Sequence, residues 1–258
     1  MVRLGIVLAL LVSLSPFTPA AAHAHAKPYI VVLDPGHGGP YIGAVSADGT
    51  EIEKILTLQV AKLAAGDLRA MGYRVFLTRT RDQAVNVPPR DLNHDGKIDQ
   101  ADDEVARNLF ADRHHADVFV SIHFDGSPLP SSHGTHGYYC PARPFWRKSQ
   151  RLAALLTQNL SSSLTRSGYA SPNNGIQTDV ADVVPQEWKN YPWFLVLGPS
   201  RKHKVIATTM PGALIESLYL SSPRDVAALR HESTLRALGR GYADGIRAYF
   251  DGHVTHEP

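Results

Sequence analysis

Cysteine is almost absent: Cys140 is the only one in 258 residues. An internal disulfide is therefore excluded, and the fold has to rest on its core. Long apolar runs are also missing. The longest, Leu4 to Leu14, is too short to span a bilayer comfortably. Neither charge sign dominates, since the formal net charge is +2 with the histidines neutral. That balance makes no case for a nucleic-acid partner. No internal repeat or separate binding module interrupts the chain, so its length reads as one domain.

The N-terminus carries the pattern of a secretory signal. Arg3 is a minimal basic region, Leu4 to Leu14 the apolar core, and Pro16 and Pro19 lead into small residues. Ala22-His23-Ala24 and Ala24-His25-Ala26 both fit a small-x-small cleavage site. The expected boundaries are a signal peptide over 1–26, a catalytic domain over 27–252 and a loose tail over 253–258. The mature chain would be exported to the periplasm, the cell wall or the medium, with no membrane segment left after cleavage.

Histidine, by contrast, is plentiful, and two histidines fall where strands end. Ile30 to Leu33 is a short aliphatic run of the kind buried on both faces of a sheet, and Asp34-Pro35-Gly36-His37-Gly38-Gly39 stops it. The glycines clear space beside the His37 ring, where a core histidine would be packed. Asp117 to Ile122 is a second such run and ends in His123. Between them, Ile52, Ile55, Leu56, Val60, Leu63 and Leu68 recur at helical spacing, and Tyr73 to Thr78 reads as a strand. This β-α-β order makes part of the sheet parallel. Open α/β sheets bind ligands at the carboxyl ends of their strands, where both histidines stand.

Further along, a helix is expected over Glu104 to His115 and a strand over Gly134 to Tyr139. A helix follows from Trp146 to Ser167, then strands at Phe194 to Leu197 and Ala213 to Leu218, and a helical region from Ser222 to about Phe250. The segment from Gly168 to Lys204 shows no clear pattern. Trp188, Tyr191 and Trp193 within it could stack on sugar rings or pack the loop down. Cys140, after two tyrosines and without a paired base, reads as a small buried hydrophobe.

His37, Glu53 and His123 make a metal triad of two imidazoles and a carboxylate, which leaves a tetrahedral zinc one open position. Taken alone, Glu53 reads as an exposed first-turn carboxylate favoured by the helix dipole. Glu216 lies inside an apolar strand, where an ionised carboxylate needs a partner. It is either half of a structural salt bridge or the base for water activated by the metal, passing a proton to a leaving amine. Asp34 could orient a ligand or close the strand-end turn.

Asp91 to Asp102 carries oxygen side chains at positions 1, 3, 5, 9 and 12 of a loop, with glycine at 6. An EF-hand calcium loop has that order. Its candidate donors are Asp91, Asn93, Asp95, the Lys97 carbonyl, Asp99 and Asp102. Asp102 stands where glutamate is usual, as in dockerin-type loops, and Pro88-Pro89 precludes an ordinary entering helix. The competing reading is a solvated acidic loop. Calcium there would be structural.

Five motifs in order resemble the zinc-dependent N-acetylmuramoyl-L-alanine amidases of bacterial cell walls, amidase type 3. They are Asp34 to Gly39, Glu53-Lys54, Leu77-Thr78-Arg79, Ser121 to Gly126, and Pro211 to Glu216. The resemblance runs from about Tyr29 to Phe250 and resumes at Arg107 after the 91–102 insertion. It implies an α/β fold, a single three-layer α/β/α domain around a mixed, mainly parallel sheet. It implies Zn2+ on His37, Glu53 and His123, with Glu216 catalytic, and peptidoglycan as substrate, cut between the lactyl group of muramic acid and L-alanine. The chain departs at His136, where the family usually carries glutamate, and after Glu216. Other readings are a zinc peptidase cutting within the stem peptide, or an inactive wall-binding or activator protein. With no wall-binding module in view, targeting would come from the domain itself or from an activator or targeting partner.

Overall fold

The computed structural model describes residues 28–180 and 191–252. The expected signal peptide, the 253–258 tail and Trp188 lie outside the described residues. Six strands form one sheet in the order β2-β1-β3-β6-β4-β5. The strands are β1 (Ile30–Pro35), β2 (Arg74–Leu77), β3 (Val118–Asp125), β4 (Thr135–Tyr139), β5 (Asn173–Thr178) and β6 (Gly212–Tyr219). β2, β1, β3 and β6 run parallel; β4 is antiparallel to β6 and carries β5 parallel to itself. The sheet is therefore mixed and mainly parallel, as expected.

Residue alternation divides the core into two layers. Val31 and Leu33 of β1 face one way, onto α1 (Glu53–Ala70), α3 (Trp146–Arg166) and α5 (Glu232–Asp251). Ile30 and Val32 face the other way, toward Ala111 of α2 (Gln100–Arg113) and the loop residues Val196, Leu197 and Met210. α5 fits between its neighbours because Gly239 lies against Leu63 and Ala64 of α1, while Gly241 and Gly245 lie against Leu160 and Leu156 of α3.

β2 joins one side of β1 and β3 the other, so the strand order reverses at β1. His37 leaves the sheet at that reversal, where an open α/β sheet has a natural crevice.

Three expectations change. Phe194 to Leu197 is not a strand: the amides of Leu197 and Gly198 both donate to the Phe194 carbonyl in a turn that seats Val196 and Leu197 against the sheet. The last helical region is two helices, α4 (Pro223–Leu229) and α5, broken at Arg230-His231. α2 starts at Gln100, earlier than Glu104, because Asp99 and Asp102 form a reciprocal capping box.

Candidate active site

His37, Glu53 and His123 meet above the carboxyl ends of β1 and β3. Glu53 Oε2 lies 3.1 Å from His37 Nε2, and Glu53 Oε1 lies 2.9 Å from His123 Nδ1. One donor atom from each of the three falls within 4.8 Å of the others. Zinc bonds of about 2.0–2.2 Å set tetrahedral donors roughly 3–3.5 Å apart, so the spacing suits a shared ion. Among the described residues, this is the one group of three His, Cys, Asp or Glu side chains so arranged.

Each of the three side chains has a local cause for its position. His37 turns off β1 with φ 62°, and its carbonyl accepts from Arg107. Glu53 is the first residue of α1, and its carboxylate accepts from the amides of Ala44 (2.7 Å) and Phe124 (3.1 Å). Burial alone would favour the neutral acid. The two histidines outweigh it and hold the Glu53 carboxyl well below the usual range. The room expected beside His37 is divided differently between the glycines. A Cβ on Gly36 would come 2.3 Å from the His123 ring, and one on Gly43 would come 2.4 Å from Glu53 Oε2 and 2.6 Å from His37. Gly38 and Gly39 lie instead against Arg79, Gln83 and Ala84.

Glu216 pairs with His123 across β3–β6 and with His136 across β4–β6. Alternation places the three side chains on one face of the sheet. Glu216 Oε2 is out of solvent and has no hydrogen-bond partner among the described residues. A salt bridge, the bland reading of this residue, is absent among the described residues. Burial, with the charges of Glu53 and Asp125, pushes the Glu216 carboxyl well above its ordinary value. A half-buried carboxyl with one shielded, unpartnered oxygen beside two histidines and a glutamate is equipped to exchange a proton with something that enters the site.

The family model for N-acetylmuramoyl-L-alanine amidases matches residues 31–248. The chain belongs to this family. It is 28% identical over 251 residues to the amidase AmiC of Neisseria meningitidis serogroup B, covering 87% of this chain and 53% of that one. It is 26% identical over 221 residues to the probable cell wall amidase LytH of Staphylococcus aureus, covering 85% of this chain and 58% of that one. The chain thus spans just over half the length of these curated relatives. The catalytic domain of CwlV, an N-acetylmuramoyl-L-alanine amidase from Paenibacillus polymyxa, aligns with TM-score 0.60 at 27% identity, over 86% of this chain and 98% of that domain. An N-acetylmuramoyl-L-alanine amidase from Clostridium difficile 630 shares the fold with TM-score 0.64 at 24% identity, over 88% of this chain and 98% of that one.

Around this candidate site the structure separates the remaining residues. Asp34 makes no hydrogen bond to the His37, Glu53 or His123 side chains among the described residues: it is fully buried and accepts from Thr78, Ser121 and Arg107. His136 is buried in β4, where its ring nitrogens lie 3.0 Å from the Tyr138 hydroxyl and 3.2 Å from that of Tyr219. Burial pushes its pKa down to about 4, so it is neutral at pH 7. His133 is exposed. Tyr191 is buried against Val105 and Val205, so it packs its loop onto α2. Cys140 is buried, and burial pushes its thiol up to about 12, which excludes a nucleophile.

The 91–102 loop closes on itself. Asp102 Oδ1 accepts from the amides of Leu92 (2.6 Å) and Asn93 (3.1 Å), and Oδ2 accepts from Asp99. Asp91 accepts from the amides of Asp95 and Gly96. No three of the loop's carboxylates come within 4.8 Å of one another.

Sequence reasoning assigned no role to Arg79 and Arg107. Their signal was present, since Arg79 closes the Leu77-Thr78-Arg79 motif and the resemblance resumes at Arg107.

Proposed function

We propose that the protein is an exported zinc amidase that cleaves the bond between the lactyl group of N-acetylmuramic acid and L-alanine in peptidoglycan. The observation that carries this is the unpartnered Oε2 of Glu216 beside the His37, Glu53 and His123 donor set. Two imidazole nitrogens and one carboxylate oxygen are a zinc donor set that leaves a position open. Zinc, when bound, supplies Lewis acidity and lowers the pKa of water. His37, Glu53 and His123 hold it, and the amides of Ala44 and Phe124 orient the Glu53 carboxylate. Glu216 accepts a proton from the attacking water as the new C–O bond forms. It delivers that proton to the alanine nitrogen as the C–N bond breaks, leaving a lactyl carboxylate and a free peptide amine.

The test is digestion of purified sacculi followed by mass spectrometry of the fragments. Stem peptides released with free L-alanine amines are expected. Cuts within the stem peptide would favour the peptidase reading, and no release at all would favour a binding or activator protein. Replacing His37 or His123 with Ala should abolish bound zinc and activity together.

Calcium is our reading for the 91–102 loop, with Asp91, Asn93, Asp95, the Lys97 carbonyl, Asp99 and Asp102 as its oxygen donors. In its favour, Asp102 reaches back to Leu92 and Asn93, so the twelfth position already meets the first turn. Gly96, at the sixth, takes a left-handed φ of 87°. Its role would be structural, because hydrolysis needs only the zinc.

A further inference from the structure

We propose that Arg79 and Arg107 are positioning residues that set the spacing of the three metal ligands, an inference that rests on the zinc reading above. Both guanidinium groups are buried, each 1% exposed. Arg107 is matched by carboxylates, Asp34 at 2.8 Å and Asp103 at 2.7 Å. Arg79 makes no ion pair among the described residues, and burial beside the Arg107 charge pushes its pKa down to about 10. A buried cation without a counter-ion is a costly way to stabilise a core, where an apolar side chain of similar volume does as well or better. Its hydrogen bonds give it another purpose.

Arg79 donates to Pro35 O (2.9 Å) and Gly36 O (2.9 Å), the two carbonyls before His37. It also donates to Lys54 O (2.7 Å) and Thr57 Oγ1 (3.0 Å), in the first turns of the helix that starts with Glu53. One planar fork therefore joins the His37 segment to the Glu53 segment. Arg107 donates to Pro35 O (3.0 Å) and to His37 O itself (2.7 Å), holding the residue in its left-handed conformation. Through Asp34 the network reaches the third ligand: Ser121, two residues before His123, donates to Asp34 Oδ2 at 2.8 Å. The segments that carry His37, Glu53 and His123 are thus tied to one another by side-chain hydrogen bonds that none of the three donor groups makes. Partners of this kind set how well a donor set fits its ion.

The experiment measures zinc affinity of the purified full chain by competition with a chelating dye, alongside melting of the metal-free protein and the visible spectrum of the cobalt form. Arg79→Lys and Arg107→Lys keep the charge but lose the fork. They are expected to bind zinc about 10–100-fold more weakly and to alter the cobalt spectrum. Lysine variants that melt lower yet bind zinc like wild type would show a merely structural role and overturn the inference. Should they fail to fold, Thr57→Ala and Ser121→Ala carry the same test, each removing one link of the network. Weaker zinc in these variants supports the inference, and unchanged affinity overturns it. A wild-type chain with no zinc affinity would overturn the metal reading as well, which separates the two failures.

Discussion

Gly36 lies against the His123 ring so closely that a Cβ would stand 2.3 Å from Cε1 and 2.4 Å from Nε2. The Gly36 amide meanwhile donates to the Ile122 carbonyl, so the two backbones cannot separate cheaply and only the ring can give way. Gly36→Ala should therefore displace the imidazole and not the backbone. Zinc content and activity are expected to fall together while the fold persists. Metal analysis and circular dichroism on the same sample check this. An alanine variant with full zinc and wild-type turnover would mean that His123 is not a ligand.

Glu216→Gln keeps the shape of the side chain but cannot take a proton from water. Zinc content should stay at the wild-type level, and turnover on sacculi should drop by about 10²–10⁴-fold. A glutamine variant near wild-type rate would place the base elsewhere. Because Glu216 Oε2 makes no hydrogen bond that glutamine would break, stability should change little.

Much of this site was legible because its elements end abruptly in sequence. Ile30 to Leu33 is an aliphatic run stopped by Asp-Pro-Gly, Val118 to Ile122 is apolar but for Ser121, and both became parallel strands beside each other, the second running on past His123 to Asp125. β5 was not legible: Asn173–Thr178 is an edge strand with few apolar residues and no clean alternation. Phe194 to Leu197 misled for the opposite reason, since its apolar residues fill a turn. The start of α2 was hidden because Asp99 and Asp102, read as loop ligands, also cap the helix. Arg79 and Arg107 act through carbonyls far away in the chain, and periodicity carries no trace of such contacts.

Calcium should raise the melting temperature of the zinc-loaded protein without changing which bond is cut. Asp95→Ala should remove that increment, since Asp95 is one of the loop donors and its amide is held by Asp91 and Asn93. Isothermal calorimetry with calcium alone reads the binding directly. No heat of binding, together with equal melting of Asp95→Ala and wild type with and without calcium, would leave a solvated acidic loop whose order comes from its own caps.

Asp179 predicts how stability follows pH. It is fully buried, and among the described residues neither carboxylate oxygen has a hydrogen-bond partner. Burial pushes its pKa from 3.8 up to about 6, against a weaker opposing effect of Cys140. In the unfolded chain the group ionises near its ordinary value, so between about pH 4 and 6 the unfolded state loses its proton first. Stability from this residue is therefore complete below about pH 4 and falls as pH rises through about 6, by on the order of 2–3 kcal/mol. Asp179→Asn cannot ionise and removes that slope. The difference in unfolding free energy between the asparagine variant and wild type should shift in favour of asparagine from pH 4 to pH 7, then stay level. Denaturant titrations at those pH values measure it. A difference that stays constant across the range would mean that Asp179 is ionised in the fold at pH 4, with a donor satisfying its oxygens.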